Sequence, residues 1–255
     1  MNKPMVAAQM YTVNKFTQNE NDFVQSMKKV KDMGYLAVQL SGHNNVSPDC
    51  IAQTLKDTGL KACITHTSFD RMKNDLENLV KEHKMWGVEQ MGVGSMAGNY
   101  HSSKEGVLQF IKEINEIGNN LAKYGMKFGY HNHSFEFKKF DGVSVMDMLI
   151  NNTNENVEFI PDLYWLQNAG VSPYEWLYKV NGRVSTVHFK DMAVNEKNES
   201  VMSSIGAGNM NYIKLAEICA EIGVKFAAVE QDVCPNDPFD CLKDSLNYLI
   251  SIGLR

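Results

Sequence analysis

Along much of the chain, apolar residues recur at three-to-four spacing and then give way, just after a glycine, to a short run rich in β-branched and aromatic residues. The junctions are Met33-Gly34-Tyr35, Thr58-Gly59-Leu60, Trp86-Gly87-Val88, Tyr124-Gly125-Met126, Asn181-Gly182-Arg183 and Ile222-Gly223-Val224. A residue just past a helix often turns left-handed, which glycine does without a Cβ penalty, so helix, glycine, strand is the expected order. Between junctions the period is helical: Val107, Phe110, Ile111, Ile114, Ile117, Leu121 and Tyr124 fall on one face. Ser47-Pro48, Ser172-Pro173 and Asp237-Pro238 each place a capping side chain before a first-turn proline, and Ser102 with Glu105 fits a capping box.

The strands are expected at residues 6–11, 36–40, 61–66, 88–93, 127–131, 157–162, 184–190 and 226–230. Eight strands alternating with eight helices at a repeat of about 30 residues predict an α/β fold, a (β/α)8 TIM barrel forming a single domain over residues 1–255. The rival, an open doubly wound sheet, usually carries a glycine-rich phosphate loop after its first strand. Here that position reads Tyr11-Thr12-Val13-Asn14-Lys15.

Composition narrows the function classes. At 255 residues and 44% hydrophobic content the chain can bury one large core. A net charge of −5 without concentrated basic stretches argues against nucleic acid and anionic lipid as partners. No apolar run reaches about 18 residues and the N-terminus has no signal-peptide core, so a cytoplasmic protein that neither spans nor binds a membrane is expected. Five cysteines with no Cys-x-x-Cys pair argue against a disulfide framework and a structural zinc knuckle.

In such a barrel the C-terminal strand ends build the active site. The third expected strand ends in His66, the fifth runs into His131-Asn132-His133-Ser134-Phe135-Glu136, and the sixth ends in Asp162. The seventh gives His188-Phe189-Lys190-Asp191 and the eighth Glu230-Gln231-Asp232. Alternation puts His188 with Lys190, Glu230 with Asp232, and His131 with His133 on common sides. Carboxylates and imidazoles from several strands form a mixed oxygen and nitrogen set suited to Mn²⁺, Mg²⁺, Co²⁺ or Zn²⁺. Asp162 and Glu230 could instead pair with Lys190 or Arg183. No strand-end cluster of Arg and Lys marks a phosphate site, although Gly206-Ala207-Gly208-Asn209 could offer N–H groups to an anion or serve as a turn.

Gly129-Tyr130-His131-Asn132-His133-Ser134-Phe135-Glu136-Phe137, Val187-His188-Phe189-Lys190-Asp191, Ile205-Gly206-Ala207-Gly208-Asn209-Met210 and Val229-Glu230-Gln231-Asp232 together resemble the sugar phosphate isomerase/epimerase branch of the xylose isomerase-like barrels. The resemblance implies one divalent metal ion held by a carboxylate of strand five together with Asp162, His188 and Glu230. Many epimerases carry a glutamate directly on strand five; here the nearest acid is Glu136, which is assigned as the fourth ligand, with His133 as substitute ligand or base. The implied reaction is isomerisation or epimerisation of a sugar or sugar phosphate, by proton abstraction next to a carbonyl through a metal-stabilised enediolate. Glu230, Glu136 and His133 are the catalytic candidates, and His66, His131, Lys190 and Trp165 the substrate-binding ones. A dehydratase or lyase acting on a keto-sugar, keto-glycoside or cyclitol is the alternative, ahead of an apurinic endonuclease or a non-catalytic sugar-binding barrel. The partner is a small carbohydrate, and the resemblance implies a homo-oligomer, dimer or tetramer.

Overall fold

The computed structural model describes residues 2–255. Eight parallel strands follow the expected order: β1 (Met5–Gln9), β2 (Ala37–Leu40), β3 (Lys61–His66), β4 (Gln90–Val93), β5 (Lys127–His131), β6 (Val157–Ile160), β7 (Thr186–Phe189) and β8 (Phe226–Val229). Their order around the sheet is β6, β5, β4, β3, β2, β1, β8, β7. Between β6 and β7 the ladder thins to two isolated bridges, Phe159 with Val184 and Asp162 with His188, leaving a nearly closed barrel with a seam. The helices between the strands enclose it as a single (β/α)8 domain.

Local signals and structure agree at most junctions. The six junction glycines all have φ between 64° and 108°, a region that L side chains rarely enter. Ser47, Ser172 and Asp237 cap their helices, accepting from the amides of Cys50, Glu175 and Phe239. The helix Lys104–Ala122 is capped by Ser103, which accepts from Gly106 N at 3.0 Å; Ser102, the residue expected there, donates instead to Asn99 O. Val107, Phe110, Ile111, Ile114, Ile117 and Leu121 of that helix are buried, each contributing about 1.5–3 kcal/mol. Tyr124 lies past the helix end and is 40% exposed, its ring under the Lys84 ammonium.

The first strand stops at Gln9 rather than residue 11, because the Gln9 side chain accepts from Tyr11 N at 3.2 Å and turns the chain into a short helix, Met10–Phe16. This carries Tyr11 over the mouth of the barrel. No helix among the described residues is long and apolar enough to cross a membrane. All five cysteines are free thiols.

Candidate metal centre

At the C-terminal mouth the strand ends bring one donor atom each from His131, Asp162, His188 and Glu230 to within 4.8 Å of one another, and all four residues are buried. His131 closes β5 and His188 lies on β7, while Asp162 stands two residues past the end of β6 and Glu230 directly follows β8. Asp162 is fixed from two sides. It caps the helix Leu163–Asn168 by accepting from Trp165 N at 3.0 Å, and its own amide donates to Asn132 Oδ1 at 3.1 Å. Its other oxygen, Oδ2, faces the cluster.

The two imidazoles are oriented from outside the cluster. His131 Nδ1 lies 2.9 Å from Gly94 O, and His188 Nε2 lies 2.8 Å from Gln39 Oε1. Gly94 O can only accept, so the outward nitrogen of His131 carries a proton and the inward nitrogen of its neutral ring presents a lone pair. Burial, together with His188, holds the His131 pKa below the ordinary histidine value and keeps that ring neutral. That lone pair nevertheless faces Asp162 Oδ2 at 3.2 Å, and beside it His188 Nδ1 lies 2.9 Å from Glu230 Oε2. Acceptor facing acceptor is repulsive unless a cation lies between them, so the donor set fits a metal ion.

Lys190 supplies a fixed positive charge on the rim. Only 1% exposed, its ammonium lies 3.0 Å from Asp162 Oδ2, 2.9 Å from Glu230 Oε2 and 2.9 Å from Asp232 Oδ2. Burial works against charge on all four groups. It is outweighed at Lys190 by the three carboxylates, which raise its pKa, and at Asp162 chiefly by Lys190, which holds it at about 2. Lys190 and His188 likewise hold Glu230 well below the usual carboxylate range. Asp232, nearer solvent, is pushed up to about 6 by burial and by Glu230. Arg183, the other cation considered for this role, is tied to the carbonyls of Val157 and Ile150.

A cavity of about 460 Å³ opens above the cluster, with Tyr11, Ser41, His66, His133 and Asp232 among its walls. The four mouth histidines pack together, with ring centroids 5.2 Å apart for His66 and His131, 4.4 Å for His131 and His188, and 4.9 Å for His131 and His133. Burial drives the His66 pKa well below its ordinary value and that of His133 to about 3, in both cases helped by His131. Buried atoms without a hydrogen-bond partner include His66 Nε2, His133 Nδ1 and Trp165 Nε1. Trp165 packs 5.4 Å from the His133 ring and lies under the Lys190 ammonium. A larger cavity of about 710 Å³ at the opposite end of the strands, beside Lys61 and Lys225, gathers no imidazole.

Glu136, expected as the fourth ligand, stands outside the cluster. Its carboxylate is fully buried and accepts from Tyr130 OH at 2.6 Å and from His133 N at 2.9 Å. Burial pushes its pKa up to about 7. The strand-five position in the cluster is filled by His131, which sequence reasoning had assigned to substrate. Glu136 thus braces the turn that carries His133. Glu136→Ala strands two buried donors, and urea unfolding is expected to show a loss of at least about 1–3 kcal/mol; unchanged stability would remove this bracing role.

The Gly206–Met210 loop offers its amides to an internal partner. Asp191, fully buried, accepts from Met192 N at 2.8 Å and Met210 N at 3.2 Å through Oδ1, and from Gly206 N at 2.9 Å and Gly208 N at 3.2 Å through Oδ2. A Cβ on Gly208 would sit 2.4 Å from Asp191 Oδ1, so a glycine is needed there.

A family model for the xylose isomerase-like TIM barrel matches residues 27–251. No curated protein matches the chain in sequence. Among solved structures, a sugar phosphate isomerase/epimerase from Parabacteroides distasonis aligns with TM-score 0.78 and 21% identity, over 98% of this chain and 94% of that one. The probable 3-DHS dehydratase AsbF, involved in petrobactin synthesis in Bacillus anthracis, aligns with TM-score 0.74 and 14% identity, over 96% and 98%. A xylose isomerase-like TIM barrel protein from Mycobacterium smegmatis in complex with magnesium aligns with TM-score 0.75 and 13% identity, over 98% and 96%. At these identities the likeness is one of fold.

Proposed function

The chain belongs to the xylose isomerase-like TIM barrel family, and on that premise we propose that it is a divalent-metal-dependent isomerase or epimerase that removes a proton from the carbon next to a sugar carbonyl. The observation that carries this reading is the convergence of two imidazoles and two carboxylates within 4.8 Å, with the inward His131 nitrogen 3.2 Å from Asp162 Oδ2 and His188 Nδ1 2.9 Å from Glu230 Oε2. His131, Asp162, His188 and Glu230 would hold the ion. Two nitrogens and two oxygens suit Zn²⁺, Mn²⁺ or Co²⁺ better than Mg²⁺, which prefers an all-oxygen shell, although the M. smegmatis neighbour was solved with magnesium.

When bound, a divalent ion supplies a fixed positive charge against the negative charge that develops on the carbonyl oxygen as its neighbouring carbon is deprotonated. The protein's own groups do the rest. Glu230, a carboxylate lining the cavity, accepts the proton. Lys190 stabilises negative charge beside Glu230. His66 and His133 line the cavity with polar atoms that have no partner in the protein and can meet sugar hydroxyls, and the proton held by Glu230 is the one returned to carbon.

One observation favours elimination as a second reading. His131, with its outer nitrogen tied to Gly94 O, stands where the resemblance led us to expect a second carboxylate, leaving Glu230 as the principal base. A single base suits loss of a leaving group on the adjoining carbon, the class of reaction that the name of the dehydratase neighbour describes. Turnover in D₂O separates the outcomes: epimerisation gives a product of unchanged mass apart from deuterium at the deprotonated carbon, isomerisation one with deuterium at the neighbouring carbon that receives the proton, and elimination an unsaturated product.

Metal analysis tests the premise of both. Dialysis against Zn²⁺, Mn²⁺ or Co²⁺ is expected to leave about one ion per chain, and ion at 100 times its Kd to stabilise the fold by about 2.7 kcal/mol in thermal unfolding. A protein that takes up none of the three, with no shift in its unfolding midpoint, is not a metalloenzyme of this kind.

A further inference from the structure

Resting on the reading of this centre as sugar-converting, we propose that its substrate is an uncharged carbohydrate bearing no phosphate or carboxylate group. Three separate features point there. First, the glycine loop whose amides could have cradled a phosphate, Gly206–Met210, already gives them to a carboxylate of the chain. Asp191 accepts from the amides of Gly206, Gly208 and Met210, and from that of Met192, and an incoming anion would have to displace a buried carboxylate held at 2.8–3.2 Å.

Second, the cations near the mouth are already neutralised. Lys190 is held between Asp162, Glu230 and Asp232. The neighbouring cavity of about 420 Å³, which shares His66 as a wall residue, contains Arg71. That guanidinium is bound by Asp75 at 2.8 Å and by Glu82 at 2.9 Å. Counted formally, Asp162, Glu230 and Asp232 against Lys190 leave the centre at −2, and a divalent ion brings it only to zero. An anionic substituent would enter with no positive charge left over to receive it, next to carboxylates it repels.

Third, the unpartnered atoms on the walls belong to neutral hydrogen-bonding groups. His66 Nε2 and His133 Nδ1 have no partner in the protein, and Tyr11, Ser41 and Ser95 add hydroxyls around the same cavity. Imidazole and hydroxyl groups match sugar hydroxyls, and leaving such groups unpaired is costly for a ligand that cannot bond them.

The test uses metal-loaded protein and matched pairs of free ketoses and their monophosphates, with binding read by calorimetry and turnover by NMR. Within each active pair the free sugar is expected to have the higher kcat/KM, by at least about 10-fold, and inorganic phosphate is expected not to compete. In Asp232→Asn, which removes one of the three carboxylates around Lys190, the ratio is expected to narrow. Preference for the phosphate ester, or competition by inorganic phosphate, overturns the inference while leaving the sugar-converting reading intact. A ratio unchanged in Asp232→Asn overturns its electrostatic basis. Failure of every sugar and every ester to bind overturns the sugar reading itself, and this inference with it.

Discussion

Glu230→Gln lowers turnover by about 10²–10⁴-fold, the range typical of general acid–base catalysis, while residual substrate binding survives better than catalysis. The substitution keeps the shape of the side chain but removes the carboxylate that lies 2.9 Å from both His188 Nδ1 and Lys190 Nζ. Glu230 follows β8 at the mouth, where residues serve chemistry more than barrel stability, so the far-UV circular dichroism should be unchanged. Steady-state kinetics on metal-saturated variant and wild type checks the prediction, and near-normal turnover would exclude Glu230 as base and as ligand. The isotope experiment adds a distinction. Carbon-to-carbon hydrogen transfer without any washout in D₂O would leave Glu230 a ligand only.

His131→Ala lowers metal affinity by at least about 100-fold, because removal of a direct ligand exceeds the roughly 10–100-fold cost of disturbing an outer-sphere partner. Glu136→Gln, by contrast, keeps one ion per chain. Its amide can accept from His133 N and donate to Tyr130 OH, replacing the two bonds that the carboxylate makes. Competition titration with a metallochromic chelator measures both variants. The reverse pattern, with metal kept in His131→Ala and lost in Glu136→Gln, would return the strand-five position to Glu136.

That contrast marks where the sequence could be read and where it could not. The barrel was legible because each junction glycine and each Ser-Pro or Asp-Pro start is a local signal, and local backbone geometry answered it. The strand-end rule singled out Asp162, His188 and Glu230 as candidates, and these are among the residues that the fold brings together. His131 was also singled out but given to substrate, because comparison with the epimerases directed attention to the nearest acid. Its place as the last residue of β5, beside β6 and hence Asp162, was the signal that could have corrected this. Glu136 shows why spacing misleads: five residues beyond β5 the chain has turned into a short helix and its carboxylate points back to Tyr130. Pairing of Lys190 with Asp162 and Glu230 was one of the readings open in the sequence, and both pairs form. Two features had no local signal. One is the third carboxylate on the Lys190 ammonium, Asp232, 42 residues away. Asp191 reaches amides 15–19 residues downstream, and the glycines gave no hint that their partner lay within the chain.

The seam between β6 and β7 bears on how sequence variation in this protein should be interpreted. Asp162 and His188 form one of the two bridges that close the barrel, and they stand on opposite lips of the gap. A change that spreads the lips, even at Val184 or Phe159 where the other bridge lies, separates two donor atoms without touching either. Conversely, an ion gripped from both lips fastens the hoop. Loss of activity and loss of fold are therefore hard to tell apart along this stretch by phenotype alone: a survey of random variants would score the same positions as intolerant whether it selected for catalysis or for folded protein, whereas at the β1–β2 side of the barrel, which carries none of the four donors, the two selections would diverge.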